Sequence, residues 1–543
     1  MPELRKEQLD IINHQSGDIL VSASAGSGKT FVMIKRLIRL ITEGHARVDQ
    51  ILAVTFTEAA ATEMKERLKT ALIEKIEQGR VDLAEQLNDV SSADISTLHS
   101  FCSRLIRKYF YVCELSPDFK IADATESQIL KDKAVAMLMR SRYTENSLEF
   151  NEFLTKFIKK RSDKTLRETI QTLYEYANVE ANPQKVYELH RKFYTVDGYN
   201  KLCGDYKAII DKQLNKYKVE VTKIHTAFKN FGLTKSAEFC VCLLDDLNKA
   251  INTDVYGLKA FENYSQRLSF ESKLQGEPLE LKEKATLIRD QLKKLFAGFC
   301  KGITTKEQDQ SRLSDVLSTT EYLVGMVKEY GEIYSKLKAE ENLLDFNDLE
   351  HYAYKVLQED GVKKDVREHY KYVFVDEYQD TNGVQEEIIN AVSNDNLFMV
   401  GDVKQSIYGF RGCNPDIFSG KMKNMQLSGK KTTQLNCNFR SADNVLDKVN
   451  EIFSYCMKED NFGEDYSLNS TLKSGGFYGE NHQGRATVHL LTKPQNKPSI
   501  KETPRVYDIL TEIKNSQFKT AKTVSSMITE IIREELGKTY YDP

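Results

Sequence analysis

The stretch DILVSASAGSGKT, residues 18–30, constrains this chain more than any other. Its first six residues read as a short buried strand. A loop of small residues follows, and Lys29-Thr30 then opens the apolar-periodic run FVMIKRLIRLI. A strand, a tight loop and a helix start together make a phosphate cradle: backbone N–H groups converge, and the helix dipole favours negative charge. The cradle would comprise Ala23, Ser24, Ala25, Gly26, Ser27 and Gly28, with Lys29 reaching the outer phosphates and the Thr30 hydroxyl on Mg²⁺. The usual pattern is GxxxxGK[ST], and Ala23 stands where its first glycine would be. The alternative is a Gly/Ser turn between a core strand and a core helix.

At 543 residues the chain exceeds one core, and about three or four domains is the expectation from length. Hydrophobic content of 40% and charged content of 29% are those of a soluble globular protein. No apolar run approaches the roughly twenty residues that span a bilayer, so no membrane partner is expected. The polar start, MPELRKEQLD, does not resemble a secretory signal. The nine cysteines include no CxxC pair, which supports neither a zinc site nor a disulfide framework. Reduced thiols in a cytoplasmic protein are expected. Net charge is −3, yet residues 151–235 hold 17 Lys and Arg against 10 Asp and Glu, interleaved with Phe and Tyr. That excess suits a phosphate-tracking surface, and it equally suits helix faces turned to water.

Leu4 to His14 reads as a short helix. ILAVTFT (51–57) is a second buried strand, 59–79 a helix ended by Gly79, and ISTLHSFCSRLI (95–106) a strand turning into a helix. Strands and helices that alternate after a phosphate loop indicate an α/β parallel sheet covered on both faces. From about 121 to 335, long helical patterns replace the alternation. It resumes with LLDFNDLEHYAYKVL (343–357), YVFVDEYQD (372–380) and NLFMVGD (396–402). A further unit begins after about 430, with a strand expected at 486–493, an amphipathic helix at 521–536, and loops at 470–484 and 494–504.

A phosphate loop needs an acid at the end of a neighbouring strand, and YVFVDEYQD supplies two. Asp376 would hold Mg²⁺ and Glu377 would polarise the attacking water. FMVGDVKQSIYGFRG (398–412) offers Gln405 near the γ-phosphate, and Tyr408 and Phe410 on the same loop, where aromatic rings can stack on bases. Core aromatics after a strand are the alternative for these rings.

In order, ASAGSGKT, AVTFTEAAATEMKER, ISTLHSFC, DEYQDTNGVQ, VGDVKQSIYGFRG and LNCNFRS resemble the motif series of superfamily-one DNA helicases of the UvrD/Rep type. STLHSFCSRLIRKYFY, SPDFKIAD, LLDFNDLE and NPDIF are closer to one branch, the AddA (RexA) subunit of bacterial helicase–nucleases. The match covers about 1–125 and 340–455. It implies a P-loop RecA-like sheet with a large helical insertion and the start of a second RecA-like lobe. The expected division is 1–120 and 336–428 for the first lobe, 121–335 for the insertion and 429–543 for the second lobe. The resemblance further implies that Gln8 reads the adenine edge, that Lys29 and Thr30 bind phosphates and Mg²⁺, and that Asp376 and Glu377 are metal ligand and base. Gln405 would couple the γ-phosphate to the DNA loop, and Arg440 would clamp the γ-phosphate from the second lobe. Thr55, Phe56, Thr57, His99, Tyr408 and Phe410 fall at positions that line single-stranded DNA in the family. For His99, a structural histidine capping the following helix is the alternative. The implied ligands are ATP, Mg²⁺ and single- or double-stranded DNA, and the implied protein partner is of the AddB (RexB) type.

The later motor motifs and the nuclease domain of that branch do not occur in the 543 residues. A fragment that binds nucleotide and hydrolyses it poorly is therefore expected. Two functional classes stand against each other: an ATP-driven 3′→5′ helicase motor, its polarity implied by the resemblance alone, and a DNA- or partner-binding module without turnover. A P-loop kinase would have no use for Tyr408 and Phe410 beside the γ-phosphate.

Overall fold

The computed structural model describes residues 4–157, 162–458 and 466–475, all within one compact unit. The strand expected at 486–493, the helix at 521–536 and the loop at 494–504 lie outside the described residues. The central sheet has six strands in the order β3-β2-β6-β7-β1-β8, all parallel. They are β1 (Ile19–Ala23), β2 (Ile51–Thr55), β3 (Ile95–Thr97), β6 (Tyr372–Val375), β7 (Leu397–Gly401) and β8 (Lys431–Leu435). Two short strands, β4 (Lys120–Ile121) and β5 (Leu343–Leu344), pair with each other outside this sheet, as do β9 (Cys437–Asn438) and β10 (Lys473–Ser474).

The four inner strands are mostly apolar, Ser22 and Thr55 apart, because both faces are covered. Side chains alternate between faces, and so the strands feed two cores. Leu20, Leu52, Val54, Val373, Val375 and Met399 pack with the helices Leu98–Lys108, Phe346–Val356 and Gly383–Val392. Ile19, Val21, Ile51, Ala53, Phe374 and Val400 pack with Lys6–Ile12, Lys29–Thr42 and Glu58–Glu77. Two segments far apart in sequence thus complete one sheet.

Helices from Ala124 to Glu340 fill the gap between them and build two further cores. One gathers Leu138, Phe150, Ile170, Val327 and Tyr330; the other gathers Leu214, Phe228, Leu243, Leu292 and Phe296. Among the described residues no helix is long and apolar enough to cross a membrane, and all nine cysteines are free.

Two details differ from the sequence expectation. β8 was expected to open the second lobe, yet it pairs with β1 from Ile19–Lys431 to Ala23–Leu435 and forms the edge of the first sheet. Its KTTQL pattern is polar because an edge strand is covered on one side only, and Leu435 alone is buried. Residues 473–474, expected as loop, form β10 against β9.

The insertion rejoins the sheet through a buried ionic cluster. Lys338, at the end of the helix Lys306–Glu340, donates to Asp345 at 2.9 Å and also contacts Asp348. The Tyr334 hydroxyl donates to Asp345 at 2.8 Å. Asp345 and Asp348 cap each other's backbone at the start of Phe346–Val356. Burial, and then the Asp345 charge, push the Asp348 carboxyl up to about 6. Removing one partner of such a cluster strands the other charges. Lys338→Met is expected to cost about 3–5 kcal/mol, read as a lower midpoint for the first thermal unfolding transition.

Candidate functional site

β1 carries the chain to a loop that needs glycine at only two places. Gly26 and Gly28 have φ of +69° and +84°. Ala23 is the last residue of β1, paired with Leu435, and regular strand geometry makes no demand for glycine there. Ser27 N–H donates to the Ser24 carbonyl at 3.1 Å and closes the loop. Gly28 precedes the helix Lys29–Thr42, which has no side-chain cap and no acid in its first turn. Its leading N–H groups and positive dipole end therefore remain available to an anion. The Ser27 hydroxyl is buried without a hydrogen-bond partner. Ser24 is buried and Ala25 exposed; Thr30 is half-buried in the first helical turn. The buried Gln8 side chain lies against this loop, its amide nitrogen 3.5 Å from the Ser27 carbonyl.

The acid pair meets the loop from β6. Lys29 Nζ lies 2.8 Å from Glu377 Oε2 and 3.1 Å from Oε1, joining residues 348 positions apart. Asp376 N–H donates to the Val54 carbonyl at 2.9 Å, and its Oδ1 accepts the Glu377 N–H at 3.0 Å. Burial, and then the Glu377 carboxylate, push the Asp376 carboxyl up to about 6, against the pull of the Lys29 ammonium. A buried acid in that environment gains from a nearby cation. Among the described residues no group of three or more His, Cys, Asp or Glu gathers as a metal cage. One carboxylate with a hydroxyl fits Mg²⁺, which takes few protein ligands and shares phosphate oxygens and water.

Hydrogen bonds lead outward from Glu377. The Gln379 side chain donates to Glu377 Oε2 at 2.8 Å and to Asp380 at 3.1 Å, and accepts from the Asp402 N–H at 2.9 Å. Asp402 in turn accepts from Gln405 Nε2 at 2.7 Å and from Lys404 Nζ at 2.7 Å. Gly401 leaves room for Gln379: a methyl there would sit 2.4 Å from Gln379 Oε1, 3.0 Å from the Phe418 ring and 3.1 Å from the Gln379 backbone nitrogen. Gln405 therefore connects to the Lys29–Glu377 pair through Asp402 and Gln379.

Three residues beyond Gln405 the aromatic surface begins. Tyr408 packs on Phe56 with ring centroids 4.7 Å apart, and Phe410 lies 6.0 Å from Tyr408. The Arg411 guanidinium sits 5.5 and 5.7 Å from the two ring centres of Tyr408 and Phe410. Phe410 is 79% exposed and Ile407 70%, so Phe410 is not a core aromatic. His99 and Phe346 meet edge to face at 4.9 Å. His99 does not cap its helix: the Thr97 hydroxyl does, accepting the Ser100 N–H at 3.3 Å. Thr55 departs from the expected DNA-lining set. It is buried, and its hydroxyl donates to the Thr57 carbonyl at 2.9 Å. The Thr57 hydroxyl accepts the Ala60 N–H at 3.1 Å and caps the next helix.

The segment 435–440 clasps the phosphate loop. Ser24 N–H donates to the Leu435 carbonyl at 2.9 Å, Phe439 N–H to Gly26 at 2.8 Å, and the Asn438 amide to Ala25 at 2.9 Å. Asn438 Oδ1 accepts the N–H groups of Arg440 and Ser441, both at 2.8 Å. This brings Arg440 to the same loop: a methyl built on Gly26 would lie 3.0 Å from Arg440 Cβ.

This geometry agrees with the family comparison, in which the UvrD/REP helicase N-terminal domain matches residues 4–226 and 237–426. The chain belongs to the UvrD/REP helicase family. Among curated proteins it is 34% identical over 493 residues to an ATP-dependent helicase/nuclease subunit of Syntrophomonas wolfei, covering 86% of this chain and 39% of that protein. The same-named subunit of Carboxydothermus hydrogenoformans is 34% identical, covering 90% and 43%; that of Bacillus pumilus is 32% identical, covering 97% and 45%. The chain spans less than half the length of these relatives.

Residue types and spacing within the motifs pointed to Lys29, Asp376, Glu377 and Gln405. Gln379, Asp402 and Asn438 lie in the same motifs but were not singled out, because amides and a strand-end acid carry no local mark of what they bind. Phe346 and Glu350, in LLDFNDLE, gain their neighbours only through the fold. The clasp makes a specific demand at Gly26, where φ is +69° and a methyl would lie 2.6 Å from Asn438 Nδ2. Gly26→Ala is expected to cost about 1–3 kcal/mol of stability and to weaken nucleotide binding, read by thermal melting and by titration with a fluorescent ATP analogue.

Proposed function

We propose that this helicase-family chain is the ATP-binding, DNA-gripping part of a 3′→5′ single-strand DNA translocase, the motor of a double-strand-break repair helicase–nuclease. The supporting observation is the contact path from Lys29 through Glu377, Gln379 and Asp402 to Gln405, which lies three residues before Tyr408 on the loop that also carries the exposed ring of Phe410. A metabolic kinase has no use for an exposed aromatic on the loop that carries Gln405.

In this reading residues 1–120 and 336–428 form the first RecA-like lobe, joined at its edge by β8. Residues 121–335 form a DNA-contacting insertion, and the rest of 429–543 begins the second lobe. Ser24 to Lys29 bind the phosphates of ATP, Gln8 faces the adenine, and Thr30 and Asp376 hold Mg²⁺, which neutralises phosphate charge when bound. Glu377 exchanges its contact with Lys29 for the attacking water, orients it and takes its proton. Arg440 places a fixed positive charge on the γ-phosphate side of the loop. Gln405 senses that phosphate and moves the loop bearing Tyr408 and Phe410, so that base stacking tightens and loosens with each cycle. His99, Phe56 and Thr57 complete the path of the strand. In the whole protein this motor is joined by a nuclease activity and works with a second polypeptide of the AddB type.

Two binding measurements on the 543-residue chain test the assignment. Lys29→Ala is expected to abolish measurable binding of a fluorescent ATP analogue in the presence of Mg²⁺; unchanged affinity would remove the phosphate-loop reading. Phe410→Ala is expected to cost about 1–3 kcal/mol in oligo-dT affinity, the stacking of one base, measured by fluorescence anisotropy. Retention of oligo-dT with no nucleotide binding in the unaltered chain would favour a binding module over a motor.

A further inference from the structure

Glu350 lies on the helix Phe346–Val356 and is 2% exposed. Its carboxylate takes three side-chain partners from two other elements: His99 Nε2 at 3.0 Å, Gln385 Nε2 at 2.6 Å and Asn382 Nδ2 at 3.2 Å. A buried carboxylate is costly unless it is hydrogen-bonded throughout, and an apolar side chain of similar volume commonly serves stability as well or better. Stability alone therefore does not account for an acid at this position. What the acid adds is a fixed geometry between its partners.

Those partners belong to the two halves of the site. Asn382 caps the helix Gly383–Val392, accepting the Gln385 N–H at 2.8 Å. It ends a buried run, Gln379 to Asn382, tied back to the acid pair by the Asp380 N–H to the Glu377 carbonyl at 2.9 Å and the Thr381 hydroxyl to the Tyr378 carbonyl at 2.9 Å. On the other side, His99 presents a half-exposed ring in the first turn of Leu98–Lys108, edge-on to Phe346. The insertion closes over the junction: His351 meets the Asn178 carbonyl at 2.9 Å, and Val384 N–H donates to Val179 at 3.0 Å.

We infer that Glu350 is a positioning residue that locks His99 to the segment carrying Asp376 and Glu377, giving the nucleotide site a second connection to the DNA surface besides Gln405. The inference rests on the nucleotide-and-DNA reading above. If both ligands bind, each must change the affinity for the other by the same factor, and this junction carries part of that factor.

The test is the linkage itself: oligo-dT affinity of the 543-residue chain, with and without a slowly hydrolysed ATP analogue and Mg²⁺. Substitutions within such networks change coupling by about two- to thirtyfold, so Glu350→Gln is expected to reduce the linkage factor at least threefold. His99→Ala combined with Glu350→Gln should reduce it no further than either alone. A cooperative thermal melt reports the fold; should Glu350→Gln lose it, Gln385→Ala, which removes one donor to the same carboxylate, carries the measurement with the same expectation. Linkage unchanged within twofold in a folded variant overturns the inference, as does an unaltered chain that binds both ligands without linkage. An unaltered chain that binds neither ligand overturns the functional reading itself.

Discussion

The Lys29 ammonium and the Glu377 carboxylate touch across a sheet whose halves are separated by more than two hundred residues of helical insertion. The contact exists because β1 and β6 run parallel, with β7 between them, and both end at the same edge. In a parallel sheet every strand delivers its C-terminal residue to one side, so a loop after β1, an acid pair after β6 and Gln405 after β7 converge without long reaches. Ligands gather at that edge in open α/β sheets for this reason. The rest of the site elaborates the convergence: Gln379 ties the acid pair to β7, and the segment after β8 clasps the phosphate loop from the other flank.

The placement of β8 changes how the second half of the chain relates to the first. A strand shared with the first sheet sets 435–440 against the loop after β1, and Arg440 reaches that loop through backbone contacts fixed by Asn438. The same clasp explains the small residues of the loop. Ala25 and Gly26 offer carbonyls to Asn438 and Phe439, and a side chain on Gly26 would collide with the amide that holds the loop shut.

What could be read before the fold was known follows from which signals are local. β1, β2, β6 and β7 are mostly apolar runs, Lys29 opens the helix after the loop that follows β1, and Asp376 and Glu377 follow β6, so periodicity and position sufficed. β8 escaped because an edge strand with a half-wet face carries a polar pattern. Thr55 looked available for DNA because its motif is right, but its hydroxyl turns to its own backbone once β2 is buried. Glu350 had no local mark: its partners are a histidine from another helix and two amides some thirty residues downstream. That the insertion would form two separate cores was also hidden, because helical periodicity shows that a face is buried and does not show against what.

Glu377 illustrates how the site trades backbone ease for geometry. Its φ of +50° is left-handed, a conformation that costs a non-glycine residue about 1–2 kcal/mol. Glycine would relieve that strain and lose the carboxylate, so the conformation persists only because neighbours hold it. The Lys29 ammonium and the Gln379 amide fix the side chain, the Asp376 carboxylate receives the N–H, and the Asp380 N–H takes the carbonyl. The left-handed residue ends the extended run just after β6 and leads into the short helical turn Tyr378–Asp380, and its carboxylate meets Lys29. Adjacent residues on an extended strand would face opposite sides of the sheet. Both acids lie just beyond β6, which ends at Val375, and the left-handed φ at Glu377 takes it out of the strand's alternation, so that both carboxylates lie within the influence of Lys29.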